Sequence, residues 1–288
     1  MQNCYKKDCY EINEHLKIHY SHGVREANST LNFLHYDTDL IIEYYQKGDA
    51  SIHIEGNIYN IYEGDIVILN PDELHVTMYN PDTYIEKIVL HIGDLIFQRF
   101  GVEKNVFLDT ISNKIKGKGN LILSKSVKEL GIDRNLEKCL SYAKENTLES
   151  RILLTCKTIE VLAKLSKLVE VSDNISNHIA TSNANVNDII DYINRHITEE
   201  ITLDTLAKRF HFSKYYIAHL FKDYVGVSPY DYLIMRRLYN CNNLIRSNHT
   251  VKEACFMVGF NNYSNFYRLY KKHFKITPLE FKEQIKSE

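Results

Sequence analysis

The chain has 288 residues, of which 44% are hydrophobic and 25% charged, with a formal net charge of −2. That length holds about two ordinary soluble domains. The start, Met1 to Lys7, has no apolar signal core and no apolar run is long enough to span a bilayer, so neither a secretory signal nor a membrane segment is expected.

Between about residues 30 and 95 the sequence alternates and turns often. Gly48, Gly56 and Gly64 fall eight residues apart. The short segments Asp49–Glu55, Asn57–Glu63 and Asp65–Asn70 are rich in Ile, Val or Tyr, which predicts antiparallel strands of a sandwich or barrel. Glu55-Gly56-Asn57 reads as a tight hairpin. Asn70-Pro71-Asp72 closes the next strand, and Tyr84–Ile92 is a further strand.

From about Asn135 to Val171 the period changes. Ile152, Cys156, Ile159, Leu162, Leu165 and Val169 recur every three or four residues, the stripe of an amphipathic helix. That stripe covers either the chain's own strands or the matching helix of a second copy. Ser172–Asn187 is rich in Ser, Asn and Thr and reads as a linker. The six cysteines (Cys4, Cys9, Cys139, Cys156, Cys241, Cys255) form no Cys-x-x-Cys pair, as expected of reduced thiols in a cytoplasmic protein. Cys156 and Cys255 sit in apolar helical patterns and read as small core residues.

Everything after the linker reads as helices and carries a degenerate repeat. Leu206-Ala207-Lys208-Arg209-Phe210-His211-Phe212-Ser213 leads into Tyr215 to Lys222; Ala254-Cys255-Phe256-Met257-Val258-Gly259-Phe260-Asn261 leads into Ser264 to Lys271. Ala207 pairs with Cys255, His211 with Gly259 and Phe212 with Phe260. Further on, Leu220 pairs with Leu269, Lys222 with Lys271 and Pro229 with Pro278. Each feature has a physical reason. A small residue lets two helices approach closely. The turn needs a residue that tolerates positive φ, which glycine does freely and histidine more readily than most. The aromatic residue after the turn plugs the angle between the helices. Ser213, Thr202 and Thr250 are suitable N-caps. Two helix-turn-helix units follow, at 203–225 and 251–273. The segment from Val186 onward carries 15 Lys and Arg against 11 Asp and Glu, whereas the rest of the chain is acidic, as expected of an end that meets a polyanion.

The stretches LAKRFHFSKYYIAHLFKDYVGVSPYDYL and VKEACFMVGFNNYSNFYRLYKKHFKITPLEF resemble the DNA-binding domain of the AraC/XylS family throughout residues 186 to 284. The resemblance implies a seven-helix domain whose two recognition helices enter successive major grooves. Lys275 stands where the family usually has glycine, and His211 replaces a common turn glycine. By resemblance Tyr215, Ala218 and His219 occupy base-reading positions. The neighbouring outward residues are Ser213, Lys214 and Lys222. The second helix offers Asn262, Tyr263, Asn265, Tyr267 and Arg268. Asn pairs well with adenine, and Arg with guanine or phosphate. Arg268 has the alternative of a structural ion pair. Lys222, Lys271 and Lys272 suit phosphates.

The strand-rich half resembles the cupin-like sensor domain of the same family, best over Ile42 to His75. A metal-binding cupin carries His-x-His-x3-Glu and a later His. The corresponding residues here are His35, Asp37, Ile41 and His75. Isoleucine cannot ligate, so the four-ligand set is incomplete, and neither a metal nor another cofactor is expected. Two His and one Asp could still hold Zn or Fe as a facial set. The alternative is a pocket with polar lining, to which His35, Asp37, Tyr45, His53 and His75 are candidates.

The fold expected is therefore multidomain α+β. A cupin-like antiparallel β-barrel (about 25–100) with helices at about 134–171 makes a domain over 1–171. A linker spans 172–185, and an all-α double helix-turn-helix domain spans 186–288. The function expected is sequence-specific transcription regulation in the cytoplasm, responsive to a small ligand, with no enzymatic activity. The expected partners are double-stranded DNA, RNA polymerase if the protein activates, and a second copy through helices 134–171. The rival classes are a cupin-type metalloenzyme and a ligand-independent DNA-binding or interaction protein.

Overall fold

In the first half of the chain the alternation of side chains builds two antiparallel sheets. The computed structural model describes residues 5–13, 15–24, 34–71, 73–80, 82–93, 96, 116–171 and 181–287. These divide into two units, Met1–Ser182 and Asn183–Glu288. The strands of the first are β1 (Lys6–Asn13), β2 (Leu16–Val24), β3 (Leu40–Lys47), β4 (Ala50–Ile54), β5 (Asn57–Ile61), β6 (Ile66–Leu69), β7 (His75–Tyr79), β8 (Tyr84–Ile92), β9 (Leu121–Ile122) and β10 (Thr181–Ser182). One sheet runs β1-β2-β8-β3-β6-β9 and the other β10-β5-β4-β7.

Strand β3, Leu-Ile-Ile-Glu-Tyr-Tyr, is buried on both faces, which is why it is apolar nearly throughout. Ile41 and Tyr45 pack with Ile52, Ile54, Tyr59 and Ile61 of the other sheet. Ile42 and Tyr44 point the opposite way, toward three helices: α1 (Ser124–Glu129), α2 (Ile132–Glu145) and α3 (Leu148–Val171). The unit thus has three layers around two cores. The β4–β5 hairpin closes as its sequence requires: Ile54 pairs with Asn57, leaving Glu55 at φ 49° and Gly56 at φ 81°. Two positive φ values define the type I′ turn that matches strand twist.

Three expectations are corrected, and the open question of the helical stripe is answered in part. The strands form two sheets, not a closed barrel, among the described residues. The sheet begins at Lys6 rather than near residue 25, because edge strand β1 is exposed at most positions and carries little apolar signal. The helical stripe is only half buried. Leu162 and Leu165 enter the core with Leu154 and Val161, whereas Ile152 and Cys156 are exposed. Cys156 is therefore not a core thiol, although Cys255 is. Cys4, Asp72 and 172–180 of the expected linker lie outside the described residues, and Thr181–Ser182 pair with β5.

The second unit contains seven described helices: α4 (Ala184–Arg195), α5 (Leu203–Phe210), α6 (Lys214–Val225), α7 (Pro229–Arg246), α8 (Val251–Met257), α9 (Tyr263–Phe274) and α10 (Pro278–Ser287). Their starts are written in the sequence. Thr202 and Thr250 make capping boxes with Thr205 and Glu253, and Ser213, Ser228 and Asn262 cap α6, α7 and α9. Helix α7 is the central beam, with Tyr232, Leu233, Leu238, Cys241 and Ile245 buried. Arg237, also buried, donates from Nε to the Ile197 carbonyl at 2.7 Å and from Nη2 to that of Glu199 at 2.6 Å. It binds the segment after α4 to the middle of the domain through two backbone carbonyls.

Candidate functional site

The two helix pairs α5–α6 and α8–α9 are built alike. The turn of the first pair passes through His211 at φ 58°, that of the second through Gly259 at φ 93°. Ile217, Leu220 and Phe221 bury one face of α6, as Phe266 and Tyr270 do for α9. The buried Tyr270 hydroxyl donates to Asn242 Oδ1 at 2.6 Å, fixing α9 on α7.

The opposite faces are exposed and polar. On α6, Tyr215 is 81% exposed, and its ring stacks with His219 at 6.1 Å. His219 Nε2 lies 3.8 Å from Asp223 Oδ2. Lys214 pairs with Asp204 at 2.6 Å, and Lys222 is exposed while Ala218 is partly covered. On α9, Arg268 is exposed, and its Nη2 donates to Asn265 Oδ1 at 2.9 Å. Tyr267 and Tyr263 pack ring to ring at 6.4 Å, and Lys271 and Lys272 are exposed in the last turn. Asn262 spends its Oδ1 on the cap, accepting from Asn265 N–H at 2.9 Å. Ser213 does the same for α6. Both side chains therefore shape the entry to their helices first.

In the first unit a cavity of about 200 Å³ lies between the two sheets, with β1, β2, β3, β6 and β8 of one and β7 of the other lining it. His35, Asp37 and His75 line it together, with Ile41 beside them. Two of the five candidate residues do not. Tyr45 is fully buried one step further along β3, where its hydroxyl donates to Glu43 Oε2 at 2.9 Å. His53 lies on β4 between Ile52 and Ile54, which face the inter-sheet core, so strand alternation turns it to the other face.

The sequence reading missed the residues that strands β1, β2 and β8 deliver: Lys7, His19, Lys87 and His91 line the same cavity. Lys87 Nζ bonds Glu43 Oε1 at 2.7 Å, a buried ion pair. Burial opposes both charges. The pairing prevails, holding the Glu43 carboxyl below its ordinary range and the Lys87 ammonium above its own. The His19 and His91 rings meet tilted at 4.5 Å, and burial first, then neighbouring positive or imidazole groups, push both down to about 4. A pairing of β2 with β8 that sets His19 against Val89 and Lys17 against His91 was the missing information.

Comparison with known proteins bears on both units. Residues 26–90 match the model of the AraC-like ligand binding domain, and residues 206–284 match that of a helix-turn-helix domain. The probable transcription factor PqrA of Proteus vulgaris is 33% identical over 101 residues, which cover 34% of this chain and 83% of that protein. The chain belongs to the AraC family of transcriptional regulators. The uncharacterized HTH-type transcriptional regulator YdiP of Escherichia coli is 25% identical over 260 residues, covering 87% of this chain and 80% of that protein. The crystal structure of ToxT from Vibrio cholerae aligns over 98% of each chain at 13% identity, with a TM-score of 0.39. This AraC-family regulator accordingly joins a ligand-binding domain to a helical DNA-binding domain, and DNA is its partner. Among its described residues no helix is long and apolar enough to cross a membrane.

Proposed function

We propose that this AraC-family chain is a one-component, effector-responsive transcription factor of the cytoplasm, without catalytic activity, that reads double-stranded DNA through α6 and α9. The observation that carries this reading is the repeated unit itself. Both second helices are capped, anchored by a buried apolar face, and exposed on a polar aromatic and cationic face. Asn265, Tyr267 and Arg268 on α9 and Tyr215, Ala218 and His219 on α6 would contact base edges. Ala218 can offer only an apolar contact, for example to a thymine methyl. Lys214, Lys222, Lys271 and Lys272 would contact phosphates, adding affinity and salt dependence without sequence reading. Ser213, Asn262 and Tyr263 would hold the start of each helix against the backbone.

The effector would occupy the cavity around His35, Asp37, His75, His19 and Lys7. Its binding would act by favouring one of two states of the sensor unit, for which differential affinity is required. RNA polymerase is a partner if the protein activates. In vitro selection from random duplexes by the full chain tests the reading. A discrete consensus is expected, with half-sites on one DNA face. Retention that is uniform across sequences would overturn it.

A further inference from the structure

Reciprocal backbone hydrogen bonds fix two cavity histidines opposite each other. His35 N–H donates to the His75 carbonyl at 3.1 Å, and His75 N–H to that of His35 at 2.9 Å. Antiparallel partners joined this way project their side chains to one face, and the two rings lie 4.2 Å apart. Asp37 follows two residues after His35. Its Oδ2 lies 3.9 Å from His35 Nε2 and 3.6 Å from His75 Nε2. One donor atom from each of the three residues falls within 4.8 Å of the others.

The orientation of His75 decides what this cluster suits. Its Nδ1 lies 2.9 Å from the Glu73 carbonyl oxygen. A carbonyl only accepts, so Nδ1 carries the hydrogen, and Nε2 of the neutral ring turns a lone pair toward Asp37. Two electron-pair donors facing each other at 3.6 Å are beyond ordinary hydrogen-bond reach. A positive charge between them would relieve the mutual repulsion of two lone pairs. Two cations line the same cavity: Lys87 is already bound to Glu43, and Lys7 on β1 feels the Asp37 carboxylate among other charges. A ring N–H donating to a backbone carbonyl, which fixes the tautomer that turns the other nitrogen toward the ion, is the outer-shell arrangement of a metal-bound histidine.

We propose that His35, Asp37 and His75 form a binding site for a first-row divalent transition-metal ion of the zinc and ferrous class. Two imidazoles and one carboxylate are the donor set such ions take. Donor atoms about 2.1 Å from a tetrahedral ion are about 3.4 Å apart, so the present spacings close with a small side-chain adjustment. His75 is the buried anchor, with its side chain 5% exposed, while His35 at 40% and Asp37 at 31% leave an entry path. Ile41 supplies no donor, so water or a donor atom of an effector completes the shell. Only that last step rests on the cavity being the effector chamber.

The test uses the full chain, stripped with a chelator, then titrated with Zn²⁺ by calorimetry and with Co²⁺ by visible absorption. One Zn²⁺ per chain is expected, with cobalt bands that lack thiolate charge transfer. Asp37→Asn and His35→Ala should each weaken Zn²⁺ binding at least about tenfold while leaving the apo thermal midpoint unchanged. Failure of the wild-type chain to bind Zn²⁺ saturably would overturn the site, as would binding that survives both substitutions or a thiolate spectrum. The duplex selection, run on the same preparation, separates the two claims. A discrete consensus without zinc binding would remove the metal site and leave the regulator standing, and zinc binding without a consensus would do the reverse.

Discussion

Gly259 has no room for a side chain. A Cβ there would lie 2.7 Å from both Cα and the carbonyl oxygen of Thr198, and φ is +93°. Backbone cannot retreat as a flexible side chain would, so Gly259→Ala combines a steric clash with a strained conformation and should cost about 2–3 kcal/mol in urea unfolding. His211 occupies the equivalent turn at φ 58° but is exposed, so His211→Gly should fall within about 1 kcal/mol of wild type. Equal costs at the two positions would show that the contact with Thr198 is unimportant. A second single-residue effect concerns acid. His19 and His91 titrate near 4 when folded, against about 6.5 in an unfolded chain. Their folded values are depressed, so their contribution to stability is complete above about pH 6.5 and is lost as the pH falls toward 4. His91→Gln should flatten that part of the stability profile, read by thermal unfolding across the range. An unchanged slope would assign the acid sensitivity elsewhere.

The two recognition helices differ in what they can read. Helix α6 offers two aromatic rings and an alanine, whereas α9 offers the exposed Arg268 bonded to the half-buried Asn265. Base-specific hydrogen bonds should therefore weigh on α9. Arg268→Ala should lower affinity for the selected consensus by about 1–3 kcal/mol and relax one position of it, with helicity retained. Lys272→Ala should instead weaken binding alike for all sequences and reduce the salt slope by about 1. Fluorescence anisotropy over a salt series distinguishes them, and an Arg268 variant that kept the wild-type consensus would refute the assignment. Why the helices were so legible is local: caps at Thr202, Ser213 and Thr250, and turn residues at His211 and Gly259, act within a few residues of chain. The cavity was less legible because its walls come from strands far apart in sequence. His35, Asp37 and His75 could be proposed from the resemblance to a cupin-like sensor domain, but His19, Lys87 and His91 enter through the β2–β8 register, and His53 leaves through the pleat. One step of parity decides each of these, and no single strand reports it.

The two faces of α3 have unlike fates, which bears on whether two copies associate. Leu154, Val161, Leu162 and Leu165 are fully buried against the unit's own sheet and helices. Leu148, Ile152 and Cys156, four residues apart along one face, are exposed together with Leu153. Leu148 is 72% exposed and Ile152 57%. Large apolar side chains gathered on one helical face are costly to leave in water and mark association surfaces. The face is self-complementary if a second copy meets it about a two-fold axis, the usual symmetry of homodimers. The double variant Ile152→Asp, Leu153→Asp should therefore sediment as a monomer at concentrations where the wild-type chain is a dimer, with its thermal midpoint little changed because neither side chain belongs to the core. Two linked DNA-binding units gain avidity that one lacks, so the same variant should bind a two-site consensus about a hundredfold more weakly while binding a single site as before. If the variant stays dimeric, the seam lies elsewhere. If wild type is monomeric and binds two sites no better than one, the apolar face of α3 has another role.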